Sequence, residues 1–128
     1  MKNYLLDTHT LLWMHDDSKE ISQEIKDTLS SNDSQLFLSV ASLWEITIKQ
    51  QINKLHLEYS LDDIAAYCLD NNISIKPILL YYLNQYSLLP LIHRDPFDRV
   101  IVATAYFDNL TLVSKDKQLS AYNIQIIW

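Results

Sequence analysis

Glycine is missing from all 128 residues, and that one absence removes whole classes of function. The glycine-rich loops that cradle phosphate in P-loop and dinucleotide-binding proteins cannot be built. Left-handed backbone positions at helix ends must then fall mostly to asparagine, the next residue to tolerate them. Asn32, Asn53, Asn71, Asn72 and Asn109 stand where the pattern predicts that helices stop. Cysteine is nearly absent as well. The one thiol, Cys68, has no partner within the chain for a disulfide. Its neighbours Ala65, Ala66 and Leu69 mark it as a small core residue and not a nucleophile. A reducing, cytoplasmic setting is expected.

No apolar run approaches membrane-spanning length, and Asp7 interrupts the opening stretch too early for a signal peptide. Membrane association is therefore not expected. Positive charge is scarce: 10 Lys and Arg stand against 16 Asp and Glu, for a net charge of −6. That balance argues against gripping nucleic acid by bulk electrostatics. It leaves local binding open, because divalent cations held by several acids would make that surface neutral or positive.

What the chain does have is apolar side chains, 48% of the total, enough to build one core. One domain over residues 1–128 is expected, without linker or internal repeat. Tyr4-Leu5-Leu6 reads as a short strand ending at Asp7, and Thr8 to Trp13 as the start of a helix. Asp17 or Ser18 is predicted to cap a second helix carrying Ile21, Ile25 and Leu29 on one face. Gln35 to Val40 reads as a buried strand, followed by a helix that stops near Asn53. Ser60 opens the next helix and Asn71-Asn72 close it. Ile73 to Ile78 is a strand that Pro77 places at an edge or an end. Leu79 to Leu88 is helical. Asp95-Pro96 is a strong helix start, with an acid at the cap and proline in the first turn, and that helix runs to Asn109. Thr111 to Ser114 and Ile124 to Ile127 complete about five strands. Strands alternating with helices imply an α/β fold, with a mostly parallel sheet covered on both faces.

Four acids then attract attention by position. Asp7 ends the first strand, Glu45 lies one turn into the helix after the second, Asp98 is in the first turn of its helix, and Asp116 follows the strand at Thr111. Ligands of open parallel sheets bind at the carboxyl ends of strands, so these acids are expected to share a crevice. Each also has an ordinary explanation. Ser42 and Glu45 have capping-box spacing, Asp98 suits a helix N-terminus, Asp95 is a simple cap, and Asp116 sits between two lysines. Asp7 is hardest to dismiss, since charge is costly beside a buried strand.

The run Leu5-Leu6-Asp7-Thr8-His9-Thr10-Leu11-Leu12-Trp13 resembles the opening of PIN-domain proteins of the VapC toxin type. The likeness continues through Ser39 to Ile46, His93 to Ala103 and Val113 to Asp116, and so covers nearly the whole chain in order. The resemblance implies a three-layer α/β/α fold, Mg2+ or Mn2+ as cofactor, and hydrolysis of RNA phosphodiester bonds. It carries the catalytic, metal-binding quartet onto Asp7, Glu45, Asp98 and Asp116, with Asp95 and Ser114 as accessory residues. It further implies a cognate antitoxin and a homodimer. One departure is Gln51-Ile52-Asn53-Lys54-Leu55, where similar chains carry Gly-Lys-Leu; asparagine can keep the turn. Arg94, Arg99, Lys49, Lys54, Lys115 and Lys117 flank the motifs as candidate phosphate contacts, though solvated surface is the expectation for most. His9 and His93 adjoin the site, and neither is assigned as general base. A haloacid-dehalogenase-type phosphatase is disfavoured, because it needs an acid where His9 stands. A receiver domain needs paired acids after the first strand, and only Asp7 is there. The remaining rival is a PIN fold that binds without turnover.

Overall fold

The computed structural model describes residues 1–128. Five strands, β1 (Lys2–Leu6), β2 (Ser34–Ser39), β3 (Ile73–Lys76), β4 (Thr111–Val113) and β5 (Ile126–Ile127), form one sheet in the order β3-β2-β1-β4-β5. All four pairings are parallel. Six helices connect them: α1 (Thr8–His15), α2 (Gln23–Ser30), α3 (Val40–Gln51), α4 (Leu61–Asp70), α5 (Leu80–Leu88) and α6 (Pro96–Phe107). A 3-10 turn at Lys117–Tyr122 precedes β5.

Alternation along the strands divides the core into two layers, as the period of two requires. Tyr4 and Leu6 of β1 join Leu11, Ile25, Leu38, Ile46 and Ile64 on one face. Leu5 and Leu112 face the other way, onto Ile101, Val102 and Ala105 of α6. The result is the α/β/α sandwich expected. Burial of each such Leu or Ile contributes about 1.5–3 kcal/mol. Cys68 is buried in the first layer, as its neighbours suggested. No helix is long and apolar enough to cross a membrane.

Several boundaries depart from expectation. The second helix is capped by Ser22, whose Oγ accepts from Ile25 N at 3.2 Å, and not by Asp17 or Ser18. Ile21 precedes the helix yet reaches the same core face as Ile25 and Leu29, so the apolar spacing runs on across a turn that is not helical. Val40 belongs to α3 and not to β2, and β5 shrinks to two residues. Asn53, Asn72 and Asn109 do take left-handed backbone, with φ of 55–59°, whereas Asn32 and Asn71 do not. Asp17 and Asn123 also take it. Pro77 follows β3 directly, and β3 is an edge strand.

Candidate active site

The chain builds outward from β1 on one side to β2 and β3, and on the other to β4 and β5. The strand order therefore reverses between β1 and β4, which opens a crevice at their carboxyl ends. Leu6 pairs with Val113, so Asp7 and Ser114 leave the sheet side by side. Ser114 Oγ donates to Asp7 Oδ2 at 2.7 Å, and Asp7 Oδ1 accepts from Thr8 N at 2.8 Å as the cap of α1. Burial pushes the Asp7 carboxyl above its ordinary range, against the pull of those two hydrogen bonds and of His9; the charge of Glu45 adds to the rise.

Glu45 is buried on α3. Thr8 Oγ1 lies 2.8 Å from Glu45 Oε1 and 2.9 Å from Ser42 Oγ. A carboxylate only accepts, so the Thr8 proton points to Glu45. Lys49, one turn on, pairs with Glu45 Oε2. Burial alone would lower the Lys49 pKa; the hydrogen bond and charge of Glu45, with the charges of Asp95 and Asp98, raise it overall. The capping-box reading of Ser42 and Glu45 fails, because Ser39 is the cap of α3 and Ser42 faces Thr8.

Asp98 stands at the third position of α6, where Asp95 Oδ1 accepts from the backbone N–H of Phe97 (2.8 Å) and Asp98 (3.3 Å). The Asp98 carboxyl is pushed up to about 7, first by burial and then by the charges of Asp95, Asp7, Glu45 and Asp116. Asp7, Glu45 and Asp116 therefore each lie within electrostatic reach of Asp98, and Glu45 also within reach of Asp7. Asp116 caps the 3-10 turn through Gln118 N at 3.0 Å, and its own N–H donates to Ser114 Oγ at 3.1 Å. Ser114 thus ties Asp7 to the Asp116 loop. Shallow hollows flank the acids on both sides of His9, one bordered by Glu45, Lys49 and Lys54, the other by Asp7, Trp13, Lys115 and Asp116. The roomier hollows of the molecule contain none of the four acids.

The basic residues divide. Arg99 is 5% exposed and meets no phosphate route. Its guanidinium donates to the carbonyls of Pro90 (2.8 Å), Tyr86 (3.3 Å), Leu89 (3.4 Å) and His93 (3.5 Å), and stacks over Tyr86. It fastens the loop between α5 and α6. Its neighbours in sequence, all motif residues, gave no sign of this. Lys115 pairs with Glu20 at the surface. The pairing of Lys49 with Glu45 was readable from their separation of four residues on one helix. The contact of Thr8 with Glu45 had no sequence signal, since it depends on how α1 meets α3.

The donor set suits a hard divalent cation. Such ions take carboxylate oxygens, and this crevice offers several carboxylates, with Asp98 pushed up to about 7 by burial and by the charges of its neighbours. Ligand atoms of His93, Asp98 and Asp116 all lie within 4.8 Å of one another.

Fold and crevice together define an open parallel α/β/α protein with an acidic site at its switch point. The PIN domain model matches residues 4–124, and the chain belongs to the PIN-domain family. Among solved structures it is similar to VapBC2 from Rickettsia felis, crystallised with a DNA fragment from their promoter, at a TM-score of 0.75 and 16% identity, covering 98% of this chain and 97% of that one. It is similar to VapBC-1 from nontypeable Haemophilus influenzae at 0.69 and 17%, covering 98% and 96%. VapBC-5 from Mycobacterium tuberculosis, a member of the VapBC family of toxin-antitoxin systems, gives 0.57 and 18%, covering 99% and 98%. At these identities the likeness establishes the fold. No curated protein matches the sequence.

Proposed function

We propose that this chain is a ribonuclease that hydrolyses RNA phosphodiester bonds with Mg2+ or Mn2+, and that it is the toxin of a toxin–antitoxin pair. Membership of a family of nucleases supports hydrolysis. The observation that carries the reading is the set of four carboxylates, Asp7, Glu45, Asp95 and Asp116, whose charges act on Asp98 at the switch point and with its burial push it up to about 7. Asp7, Glu45, Asp98 and Asp116 would hold the ion, with Asp95 and Ser114 accessory. When bound, the ion supplies charge neutralisation, Lewis acidity and a water of lowered pKa at the scissile phosphate.

The chain's own residues do the positioning. Ser114 fixes one Asp7 oxygen and Thr8 N–H the other, so this carboxylate cannot rotate away. Thr8 and Lys49 do the same for Glu45. Lys54 and Lys115 border the crevice and would meet the phosphates beyond the cut. Preorganised ligands of this kind cost no rearrangement at the moment of reaction.

The partner and the setting belong to the same proposal. VapBC relatives are toxin–antitoxin systems by name, and an antitoxin tail with an arginine would pair its guanidinium with the crevice carboxylates. Leu80, Tyr81 and Leu83 on α5 are exposed, an apolar surface that homodimer formation would cover. The cytoplasm, where RNA is the substrate at hand, is the proposed location. Mapping of cleavage sites in total RNA after induction tests the function. Discrete new 5′ ends with the wild type and none with Asp7→Asn are expected. Identical RNA profiles from the two proteins would overturn the reading and leave a binding module in its place.

A further inference from the structure

His93 lies outside the four acids, on the loop that precedes α6, and its surroundings are unusual for a loop residue. Its backbone N–H donates to the Tyr122 hydroxyl at 2.6 Å, and its carbonyl accepts from Arg99. The ring lies against Tyr122 with centroids 6.1 Å apart and planes within 24°. Two buried side chains, Arg99 and Tyr122, therefore hold both the backbone and the ring of His93 in place. The side chain is 17% exposed, and Nε2 is out of contact with solvent and has no hydrogen-bond partner. An imidazole nitrogen left so costs free energy unless something binds it.

What Nε2 faces is the acidic crevice. It stands 3.6 Å from Asp116 Oδ2, and with a carboxylate oxygen of Asp98 the three ligand atoms fall within 4.8 Å. An ion with ligands at about 2.1 Å holds neighbouring ligands about 3 Å apart and opposed ones about 4.2 Å apart. Small side-chain rotations would bring all three atoms onto one ion. Imidazole nitrogen suits transition ions, while Mg2+ prefers an all-oxygen shell.

We propose that His93, through Nε2, ligates the divalent ion together with Asp98 and Asp116, and tilts the site toward Mn2+ and Co2+ over Mg2+. This rests on the metal-dependent site proposed above and adds a nitrogen ligand from outside the acidic quartet. Arg99 and Tyr122 then act as positioning residues, because they fix the loop that presents the ring.

Pulsed EPR on Mn2+ bound to the wild-type protein tests it without any substitution. Electron-spin-echo modulation from a directly coordinated 14N nucleus is expected. Mn2+ binding, followed by the free-ion EPR signal, should weaken at least about tenfold in His93→Phe, which keeps a ring against Tyr122 but has no nitrogen, while Mg2+ affinity measured by competition shifts far less. Asp98→Asn should weaken both ions. Bound Mn2+ without 14N modulation, or unchanged or tighter Mn2+ binding in His93→Phe, overturns the role of His93; if Asp98→Asn still loses the ion, the acidic site itself stands. Full Mn2+ binding by Asp98→Asn would instead overturn the site on which the inference rests.

Discussion

The two ends of α6 each carry an aspartate, and they are treated in opposite ways. Asp108 caps the C-terminus, where the helix dipole disfavours negative charge, yet it is well supplied. Lys76 Nζ lies 3.0 Å from its Oδ2, and the Tyr82 hydroxyl donates to the same oxygen at 2.6 Å. Burial, and after it the hydrogen bond and charge of Asp108, push the Tyr82 phenol up to about 12. Asp98 lies in the first turn, where the dipole favours its charge, yet burial and four neighbouring acids hold it near 7. The dipole decides at neither end: partners outweigh it at Asp108, and burial together with the neighbouring acids outweighs it at Asp98. Asp108 is given a countercharge and a hydroxyl of its own by the chain, whereas around Asp98 one lysine, Lys49, pairs with Glu45 and no cation of the chain pairs with Asp98 itself.

The largest effect that separates the two ends is on cleavage. Asp98→Asn, Asp7→Asn, Glu45→Gln and Asp116→Asn should each lower the rate on a fluorogenic RNA by at least about a hundredfold, roughly 2.7 kcal/mol in the barrier. Asp108→Asn should leave it nearly unchanged. Loss of activity in Asp108→Asn to the same degree, with the fold intact, would erase the distinction.

Thermal melts give the next contrast. An ion that binds only the folded crevice adds about 2.7 kcal/mol at a hundredfold excess over its dissociation constant. For a domain of this size the melting temperature should rise on the order of 5–10 °C. Asp108→Asn should keep that rise and Asp7→Asn should lose most of it, and Asp7→Asn should melt no lower than wild type in EDTA. Equal shifts in both variants, matched by NaCl at the same ionic strength, would reduce the effect to screening of surface charge.

A smaller difference lies in pH dependence without metal. The Asp98 pKa rises from 3.8 to about 7 on folding, so between those values the folded chain holds more protons than the unfolded one. Its contribution to stability is therefore greatest at the acid end of the window and is lost as pH climbs through 7. Urea unfolding in EDTA at pH 5 and pH 8 should show wild type losing more stability than Asp98→Asn over this range. A parallel loss in the two proteins would remove Asp98 as the cause. The smallest effect is structural: Asp108→Asn should cost about 1–2 kcal/mol with or without metal, through its bonds to Lys76 and Tyr82.

Legibility of the sequence divides along a similar line. Signals that act over three or four residues read well. Asp95-Pro96 starts α6 as predicted, Pro77 ends an edge strand, and Asn53, Asn72 and Asn109 take the left-handed positions that glycine would otherwise fill. The α/β/α architecture followed from alternating elements. Signals that depend on tertiary meeting did not read. Ile21 imitates a helical position because the core face extends past the helix, so the apolar spacing predicts an earlier start than the one α2 has at Gln23. Arg99 looks like a phosphate contact by its place among motif residues, yet it is committed to carbonyls of the end of α5 and the loop after it, up to thirteen residues earlier. Local pattern brought Asp7, Glu45, Asp98 and Asp116 under suspicion. Ser114 was named through the family resemblance, but its bond to Asp7 exists only once β1 meets β4, the Thr8 bond to Glu45 only once α1 meets α3, and the loop clamp on His93 only once α6 meets the loop before it.

The most direct test of a carboxylate cluster that awaits a cation is a 13C NMR titration of the Asp98 side-chain carboxyl, in EDTA and again with saturating Mg2+. Without metal it should titrate near 7, and with Mg2+ its midpoint should fall well below that while the Asp108 signal is unmoved. An Asp98 that titrates in the ordinary carboxylate range in EDTA, or that ignores Mg2+, would contradict the account.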